Sequence, residues 1–175
     1  ALNTANSTFG KIDILINNFD QPTTQKTLQT LDKTFYQTIQ NYLNSVFLGM
    51  KSTIPYLKAA GGGSIVNLVS VYANIGSPGS LALASSDGGV RTLSKSVAVQ
   101  YAKYNIRSNC ILMGLFTNST PKGHDGDTTV SISNIPMARP GNPEELTHVA
   151  LYLSSKDSWY LTGTEVVVDG GLSNA

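Results

Sequence analysis

Short apolar runs bounded by turn residues alternate along the chain with longer stretches of helical period. Four runs predict buried strands, at residues 12–18, 64–70, 106–113 and 165–169. The first two runs turn polar at their carboxyl ends. Strands that alternate with helical segments are typical of an α/β domain with a parallel sheet.

Three stretches carry apolar residues at helical spacing. Residues 31–57 predict one long helix or, because Pro55 falls where a last turn would kink, two helices. Residues 88–104 predict a second helix that stops at Asn105, and residues 143–153 a third, with proline and two acids in its first turn. The pattern predicts a three-layer Rossmann-like domain, residues 1–175, in which helices flank about four parallel strands.

The composition excludes several classes of function. Hydrophobic residues make up 41% of the 175 and charged residues 13%, with twelve Lys and Arg against eleven Asp and Glu. Without a dense basic run, neither nucleic acid nor a membrane surface is an expected partner. The apolar stretches are shorter than the ~20 residues that cross a bilayer. A single cysteine, Cys110, fits a reducing compartment, so we predict a cytoplasmic protein.

The candidate ligand site lies at the carboxyl ends of the strands. In a doubly wound sheet the ligand crevice lies beyond these ends, which here are residues 17–20, 70–72 and 113–118. Residues 118–134, which have no clear period, predict a surface loop or a mobile lid. His124, Asp125 and Asp127 within it are too few ligands for a metal site, so no metal is predicted.

Six islands, in the order in which they occur, resemble the short-chain dehydrogenase/reductase family. They are GKIDILINN (10–18), VFLGMK (46–51), GSIVN (63–67), GGVRTLSKS (88–96), RPGNPEE (139–145) and LTG with VDGG (161–171). The resemblance covers nearly the whole chain. It implies an NAD(P)-dependent oxidoreductase of alcohols, ketones or sugars.

In the family a tyrosine passes a proton, a lysine four residues later lowers the pKa of that tyrosine, and a serine binds the substrate oxygen. The serine matches Ser70, but the tyrosine position holds Leu83 and the lysine position Asp87. Leucine has no exchangeable proton, and an aspartate would raise the pKa of a nearby phenol. The family's helix asparagine matches Tyr42. The standard proton relay is therefore predicted not to operate.

The resemblance places the NAD(P) cofactor against Asn17, Asn18 and Gly114. Phe19 and Asp20 follow the two asparagines where the family has Ala-Gly, and Met113 stands for the proline before the glycine. The family's glycine-rich first turn has no counterpart in these residues. A partial gene product, a processed form and a truncated chain all fit this, and each would leave residues 11–17 as an open apolar edge strand.

Several alternatives stay open at this level. Ser70 either orients a substrate or caps a turn, and Asn17 and Asn18 either cradle a cofactor or bond exposed turn backbone. Tyr42 or Tyr72 is a weak substitute for the lost phenol, and Lys95, eight residues past Asp87, is too far to replace the lysine.

Three functions follow from these alternatives: an impaired or inactive oxidoreductase, a non-catalytic scaffold or binding subunit, and an active enzyme completed by an N-terminal portion. By resemblance, helices 31–57 and 88–104 build a homo-oligomer.

Overall fold

The structure is a computed structural model that describes residues 1–19, 31–77, 80–117 and 132–175. Within these ranges the α-helices are α1 (Leu2–Phe9), α2 (Asp32–Ala59), α3 (Tyr72–Ile75), α4 (Leu81–Tyr101) and α5 (Pro143–Ser154). The strands in the same ranges are β1 (Ile14–Asn17), β2 (Gly63–Ser70), β3 (Ile106–Met113) and β4 (Glu165–Val168). Short 3₁₀ turns lie at Ala102–Tyr104, Ile132–Asn134, Lys156–Ser158 and Leu172–Asn174.

The four strands form one parallel sheet in the order β1-β2-β3-β4. β2 and β3 pair over their full length, from Gly63 opposite Ile106 to Ser70 opposite Met113. Both are buried along nearly their whole length because both of their faces are covered. The predicted strands and the parallel α/β fold are therefore confirmed.

Helices cover the sheet on both faces and create two apolar cores. Ile65 and Val69 of β2 pack with α2 and α4 in the larger core, and Val66 and Leu68 pack with Leu153 of α5 in the smaller one. Alternate residues of one strand thus belong to different cores, as the pleat requires. Helix, sheet and helix make the three predicted layers.

α2 is one continuous helix. It begins after Leu31, runs 28 residues and contains Pro55 near its end. Of the two alternatives for residues 31–57, the single helix is therefore the one observed. Val46, Met50 and Leu57 are its most buried apolar residues, at 0–1% exposure, so the apolar stripe faces the sheet.

α4 begins seven residues earlier than predicted. The predicted start at Gly88 is wrong, because Ser80 caps the helix and accepts the N–H of Leu83. Gly88 and Gly89 lie inside the helix, and a Cβ on Gly89 would come within 2.8 Å of Leu43 of α2. Gly89 thus permits close approach of the two helices. Asn105, at φ 59°, ends the segment as predicted.

Two short helices have no counterpart in the predictions. α1 buries none of its residues, and α3 has only four residues, directly after β2. Neither is long enough to show an apolar period. α5 agrees with its prediction and is stabilised by a capping box between Asn142 and Glu145.

A chain of buried polar side chains crosses the sheet under α4. Asn17 of β1 donates to the Asn67 side-chain oxygen at 2.8 Å, and Asn67 donates to Ser94 Oγ at 3.1 Å. Ser94 in turn bonds Ser108 of β3 at 2.9 Å. Asn67, Ser94 and Ser108 are at most 1% exposed, so these bonds replace water inside the domain.

β1 lies at one edge of the sheet and is only partly covered. Ile14 and Ile16 are 46% and 49% exposed, and within the described residues β1 pairs only with β2. Among the described residues β1 is therefore an edge strand with two exposed isoleucines, and an open edge in the protein stays a prediction. Such an edge presents unpaired backbone groups to other strands.

Residues 118–131, with the candidate metal ligands His124, Asp125 and Asp127, lie outside the described residues. Within the described ranges no group of three or more His, Cys, Asp or Glu side chains is placed to hold a metal. None of the described helices has the length and hydropathy to cross a membrane.

Replacing Asn67 tests the buried polar chain. Asn67→Ala would leave the Asn17 amide without its Asn67 acceptor and would remove one of the two bonds of Ser94, whose bond to Ser108 stays, in a dry site. We therefore expect a loss of about 2–4 kcal/mol in the free energy of unfolding. Urea denaturation measures this loss. The matched control, Asn44→Ala at an exposed position of α2, should stay within about 0.5 kcal/mol. Equal effects of the two variants would contradict the assignment.

The edge strand predicts association of this 175-residue chain. We expect the average mass in sedimentation velocity to rise with concentration, and Ile16→Lys to reduce that rise because an edge charge opposes strand pairing. Val99→Lys, at an 83% exposed position of α4, is the control. A monodisperse monomer at high concentration would refute edge pairing.

Candidate active site

The carboxyl ends of the strands meet at one edge of the sheet. Ser70 of β2 lies opposite Met113 of β3, which lies opposite Val168 of β4. Asn17 of β1 is level with Asn67, so Asn18 and Phe19 continue toward the level of Ser70. The sequence prediction that residues 17–20, 70–72 and 113–118 lie at one edge is thus confirmed for their described part, which leaves out residues 20 and 118.

Ser70 is half-buried at the end of β2, with its hydroxyl oxygen directed to the turn that follows. Its Oγ accepts the backbone N–H of Tyr72 at 3.2 Å. This bond is a local cap of the kind serine makes after a strand. A hydroxyl that accepts one bond still has its own proton, so Ser70 can also donate to a substrate oxygen.

Leu83 lies in the first turn of α4 rather than before the helix. Its N–H donates to Ser80 at 3.4 Å, and its side chain packs against the larger core. The family's tyrosine position is therefore filled by hydrocarbon that is held in place by packing. Nothing at this position can carry a proton.

Asp87 lies one helical turn after Leu83 and is only 4% exposed. The hydroxyl of Tyr42 donates to its Oδ1 at 2.5 Å, and the backbone N–H of Ser70 also donates to the carboxylate. Burial raises the pKa of Asp87 to about 6, and the bonds from Tyr42 and Ser70 lower it in part. The group is an acid whose charge is sustained by two donors.

Tyr42 of α2 therefore bonds the residue at the family's lysine position, Asp87. It is 4% exposed, its hydroxyl lies 3.3 Å from the Leu68 carbonyl oxygen as well, and its ring lies 6.0 Å from that of Phe19. Sequence reasoning singled out Tyr42, Ser70 and Asp87 but missed that they bond to each other. The family alignment, which places all three at one site, was the signal that could have found it.

Tyr72, one of the two candidate substitutes for the phenol, and Lys95, which the sequence excluded from the lysine role, both differ from what the family relay needs. Burial raises the pKa of the Tyr72 phenol, whereas the family relay needs it lowered. Lys95 lies about two helical turns after Asp87 in α4, and its ammonium group binds Glu165 at 2.6 Å. Its predicted exclusion from the lysine role agrees with this placement.

The residues that the resemblance assigns to the cofactor have other contacts. Asn17 is buried and donates to Asn67, not to exposed turn backbone as its alternative role predicted. A Cβ on Gly114 would come within 2.6 Å of Asp169, so this glycine is needed for packing against the turn after β4. Asn18 is exposed at the strand end. Asp20 lies outside the described residues.

An ionic cluster that the sequence did not reveal holds the elements around the site. Arg91 of α4 binds Glu165 of β4 at 2.7 Å and donates to the Ala73 carbonyl of α3 at 2.6 Å. Arg91 also lowers the pKa of Glu165. The cluster ties α3, which follows Ser70, to α4 and to the opposite edge of the sheet.

Comparisons with known proteins agree with this geometry. The family model described as enoyl-(acyl carrier protein) reductase matches residues 1–173. A 7alpha-hydroxysteroid dehydrogenase of Paraclostridium sordellii is 37% identical over 93% of this chain and 63% of its own length. A 3-oxoacyl-[acyl-carrier-protein] reductase of Chlamydia pneumoniae is 35% identical over 93% of this chain and 66% of its own.

Solved structures share the fold. Acetoin dehydrogenase from Enterobacter cloacae superimposes with a TM-score of 0.89 at 28% identity, over 99% of this chain and 69% of its own. A short chain dehydrogenase from Bacillus anthracis gives 0.87 at 32% identity, over 97% and 68%. The chain thus spans about two thirds of the length of these proteins. The family model matches nearly the whole of this chain, and the relatives above are more than 30% identical to it. The chain therefore belongs to the short-chain dehydrogenase/reductase family.

Proposed function

We propose that this chain is a short-chain dehydrogenase/reductase subunit that has kept the scaffold and the serine but lacks the family's proton relay. The observation that supports the proposal is what occupies the family's tyrosine and lysine positions. Leu83 packs into the core, and Asp87 is a buried acid bonded to Tyr42. The chain is then an impaired or inactive oxidoreductase of alcohols and ketones.

The chemistry of the reaction explains the loss. Carbonyl reduction needs a group that gives a proton to the oxygen as hydride arrives at the carbon, and such a group contributes about 10²–10⁴-fold. Leu83 has no such proton. Asp87 is mostly ionised at neutral pH, given a pKa of about 6, and its carboxylate is directed at Tyr42 and Ser70.

The remaining residues support binding of a small oxygen-bearing ligand. The Ser70 hydroxyl stands at the carboxyl edge of the sheet and keeps a proton for a carbonyl or hydroxyl oxygen. The relatives are named for 7alpha-hydroxysteroids, 3-oxoacyl groups and cyclopentanol. A secondary alcohol or ketone is therefore the ligand class that we propose.

The family uses NAD(P), which would supply or accept the hydride. Of the three residues assigned to it, Asn17 is engaged with Asn67, and the space beside Gly114 is filled by Asp169. Of the three residues, Asn18 is the one that is exposed. These three residues do not by themselves fit a cofactor site.

A homo-oligomer through α2 and α4 is part of the proposal. A groove of about 600 Å³ runs between the two helices, lined by apolar residues and flanked by Lys51 and Lys58. Phe47, at its rim, is 43% exposed. A second copy that packed against this groove would bury these residues. The cytoplasmic location stays a prediction.

An active enzyme is the alternative. It is favoured by the share of the relatives' length, 63–66%, that this chain spans, because a longer protein could carry a complete cofactor site. Turnover then depends on Ser70 with a rearranged relay.

Activity tests the proposal. We expect no oxidation of NADH or NADPH by a panel of cyclic ketones, 3-oxoacyl thioesters and oxosteroids beyond the rate of the Ser70→Ala variant. Titration calorimetry with each cofactor, read for binding tighter than about 1 mM, separates absent binding from absent chemistry. Turnover that Ser70→Ala abolishes would establish the alternative.

Restoring the family residues sharpens this test. Where calorimetry shows cofactor binding, Leu83→Tyr with Asp87→Lys and Tyr42→Asn should raise ketone reduction at least about tenfold, toward the 10²–10⁴ expected for a proton relay. Circular dichroism verifies folding. A folded variant that binds cofactor but gains no rate would show that the relay is not what limits the chain.

The helical groove makes its own prediction. We expect Phe47→Glu to shift the chain to smaller species in sedimentation, since it places a charge in the apolar contact. Val99→Lys, at an exposed site on the outer side of α4, should leave the distribution unchanged. Loss of association with Ile16→Lys but not with Phe47→Glu would assign the assembly to the sheet edge instead.

A further inference from the structure

Three elements meet at one buried carboxyl group. Asp87 of α4 accepts from the hydroxyl of Tyr42 on α2 at 2.5 Å and from the backbone N–H of Ser70 at the end of β2. Asp87 and Tyr42 are each 4% exposed. This contact belongs to no family role of these positions.

We propose that Tyr42 and Asp87 form a proton-binding pair that positions Ser70, and that the bond between them reverses when Asp87 gains or loses its proton. The two states differ in which atom donates and in how firmly the Ser70 backbone is held. The reversal of this hydrogen bond requires neither a bound cofactor nor turnover, so it does not depend on the proposed function.

The ionised state satisfies the carboxylate with two donors. An ionised carboxylate only accepts hydrogen bonds, and here it takes one from Tyr42 and one from Ser70. Bonds to a charged acceptor are the stronger kind, about twice a neutral one. In this state the end of β2 is fixed to α4 through the Ser70 N–H.

The protonated state must place a new donor. A carboxylic acid has one O–H, and the nearest acceptor among the described contacts is the Tyr42 oxygen, 2.5 Å away. When Asp87 donates to it, the Tyr42 proton is free to turn to the Leu68 carbonyl oxygen, now 3.3 Å away. Tyr42 would move its hydrogen bond from α4 to β2, and Ser70 would keep only a neutral, weaker acceptor.

The surroundings decide which groups control this proton. The elements packed against α4 also carry Tyr72 on α3, Cys110 and Arg107 on β3 and, on α4 itself, Arg91 and Lys95. Arg91 and Lys95 are both bound to Glu165. The causes of the Asp87 shift are burial, Tyr42 and Ser70, with no charged neighbour among them.

The sign of the effect on stability follows from the direction of the shift. The pKa of Asp87 rises from 3.8 to about 6 on folding. The folded state thus binds the proton more tightly, and the contribution to stability is complete below the unfolded value and lost as pH rises through about 6. Above that pH the buried charge opposes folding.

Nuclear magnetic resonance of the 175-residue chain tests the proposal directly. We expect the Asp87 carboxyl carbon and the Ser70 amide to titrate together, with a common midpoint near 6. An Asp87 carboxyl that titrates near its ordinary value, or a Ser70 amide that does not move across this range, overturns the proposal. This measurement on the unmodified chain decides the matter even if the variants fail to fold.

Two variants and a control separate the pair from a merely structural contact. Asp87→Asn, a neutral isostere, should abolish the titration of the Ser70 amide. Tyr42→Phe removes a donor that lowers the pKa of Asp87, so the midpoint should shift upward while the amide still titrates. Asp157→Asn, at an exposed carboxylate, should change neither. A downward or absent shift in Tyr42→Phe contradicts the proposal.

Thermal unfolding gives an independent readout. The unfolding temperature of the unmodified chain relative to Asp87→Asn should fall as pH rises through about 6. Taking the difference removes the contributions of carboxylates such as Glu145, whose pKa is lowered by Arg139. A difference that is flat with pH overturns the proposal.

Discussion

The burial of β2 on both faces is the constraint on which the rest of the structure depends. Six consecutive residues of this strand are buried, so the polar atoms among them need partners in the protein. Asn67 obtains its partners across the sheet, and Ser64 donates to the Leu153 carbonyl of α5 at 2.7 Å. Where the strand ends at Ser70, the backbone N–H finds its partner in Asp87. The contact between Ser70 and Asp87 at the site thus meets, at the end of β2, the same need for hydrogen-bond partners that holds along the buried strand.

That requirement explains how a scaffold can keep its fold while its relay residues change. Leu83 replaces a phenol with a side chain that packs on the same core, which adds buried apolar surface and removes no donor that the backbone needs. An aspartate at position 87 is more difficult to accommodate, because burying an unpaired charge destabilises the folded state by several kcal/mol. The N–H of Ser70 and the hydroxyl of Tyr42 supply its compensation, both from elements already packed there.

The sequence predicted most of the sheet and less of the helices, for physical reasons. The buried strands are apolar runs bounded by turns, and that signal needs no tertiary information. The start of α4 was missed because Gly88 and Gly89 weaken the helical pattern, while the local cap at Ser80 and the contact with Leu43 determine the true start. At the site, the alignment indicated which residues occupy the relay. It did not show the bond between positions 42 and 87, which depends on how closely α2 and α4 approach.

The lengths of the two side chains suggest why these changes work together. The carboxylate oxygens of an aspartate at position 87 are only three bonds from its Cα, so a short amide at position 42 would leave a gap where the buried carboxylate needs a donor. The phenol of Tyr42 spans that gap from α2, while Phe19 packs against its ring. Without Tyr42 the buried carboxylate of Asp87 would lose the donor that lies 2.5 Å away. Together Tyr42 and Asp87 place a titratable carboxyl group and its donor beside the backbone of Ser70, where β2 ends.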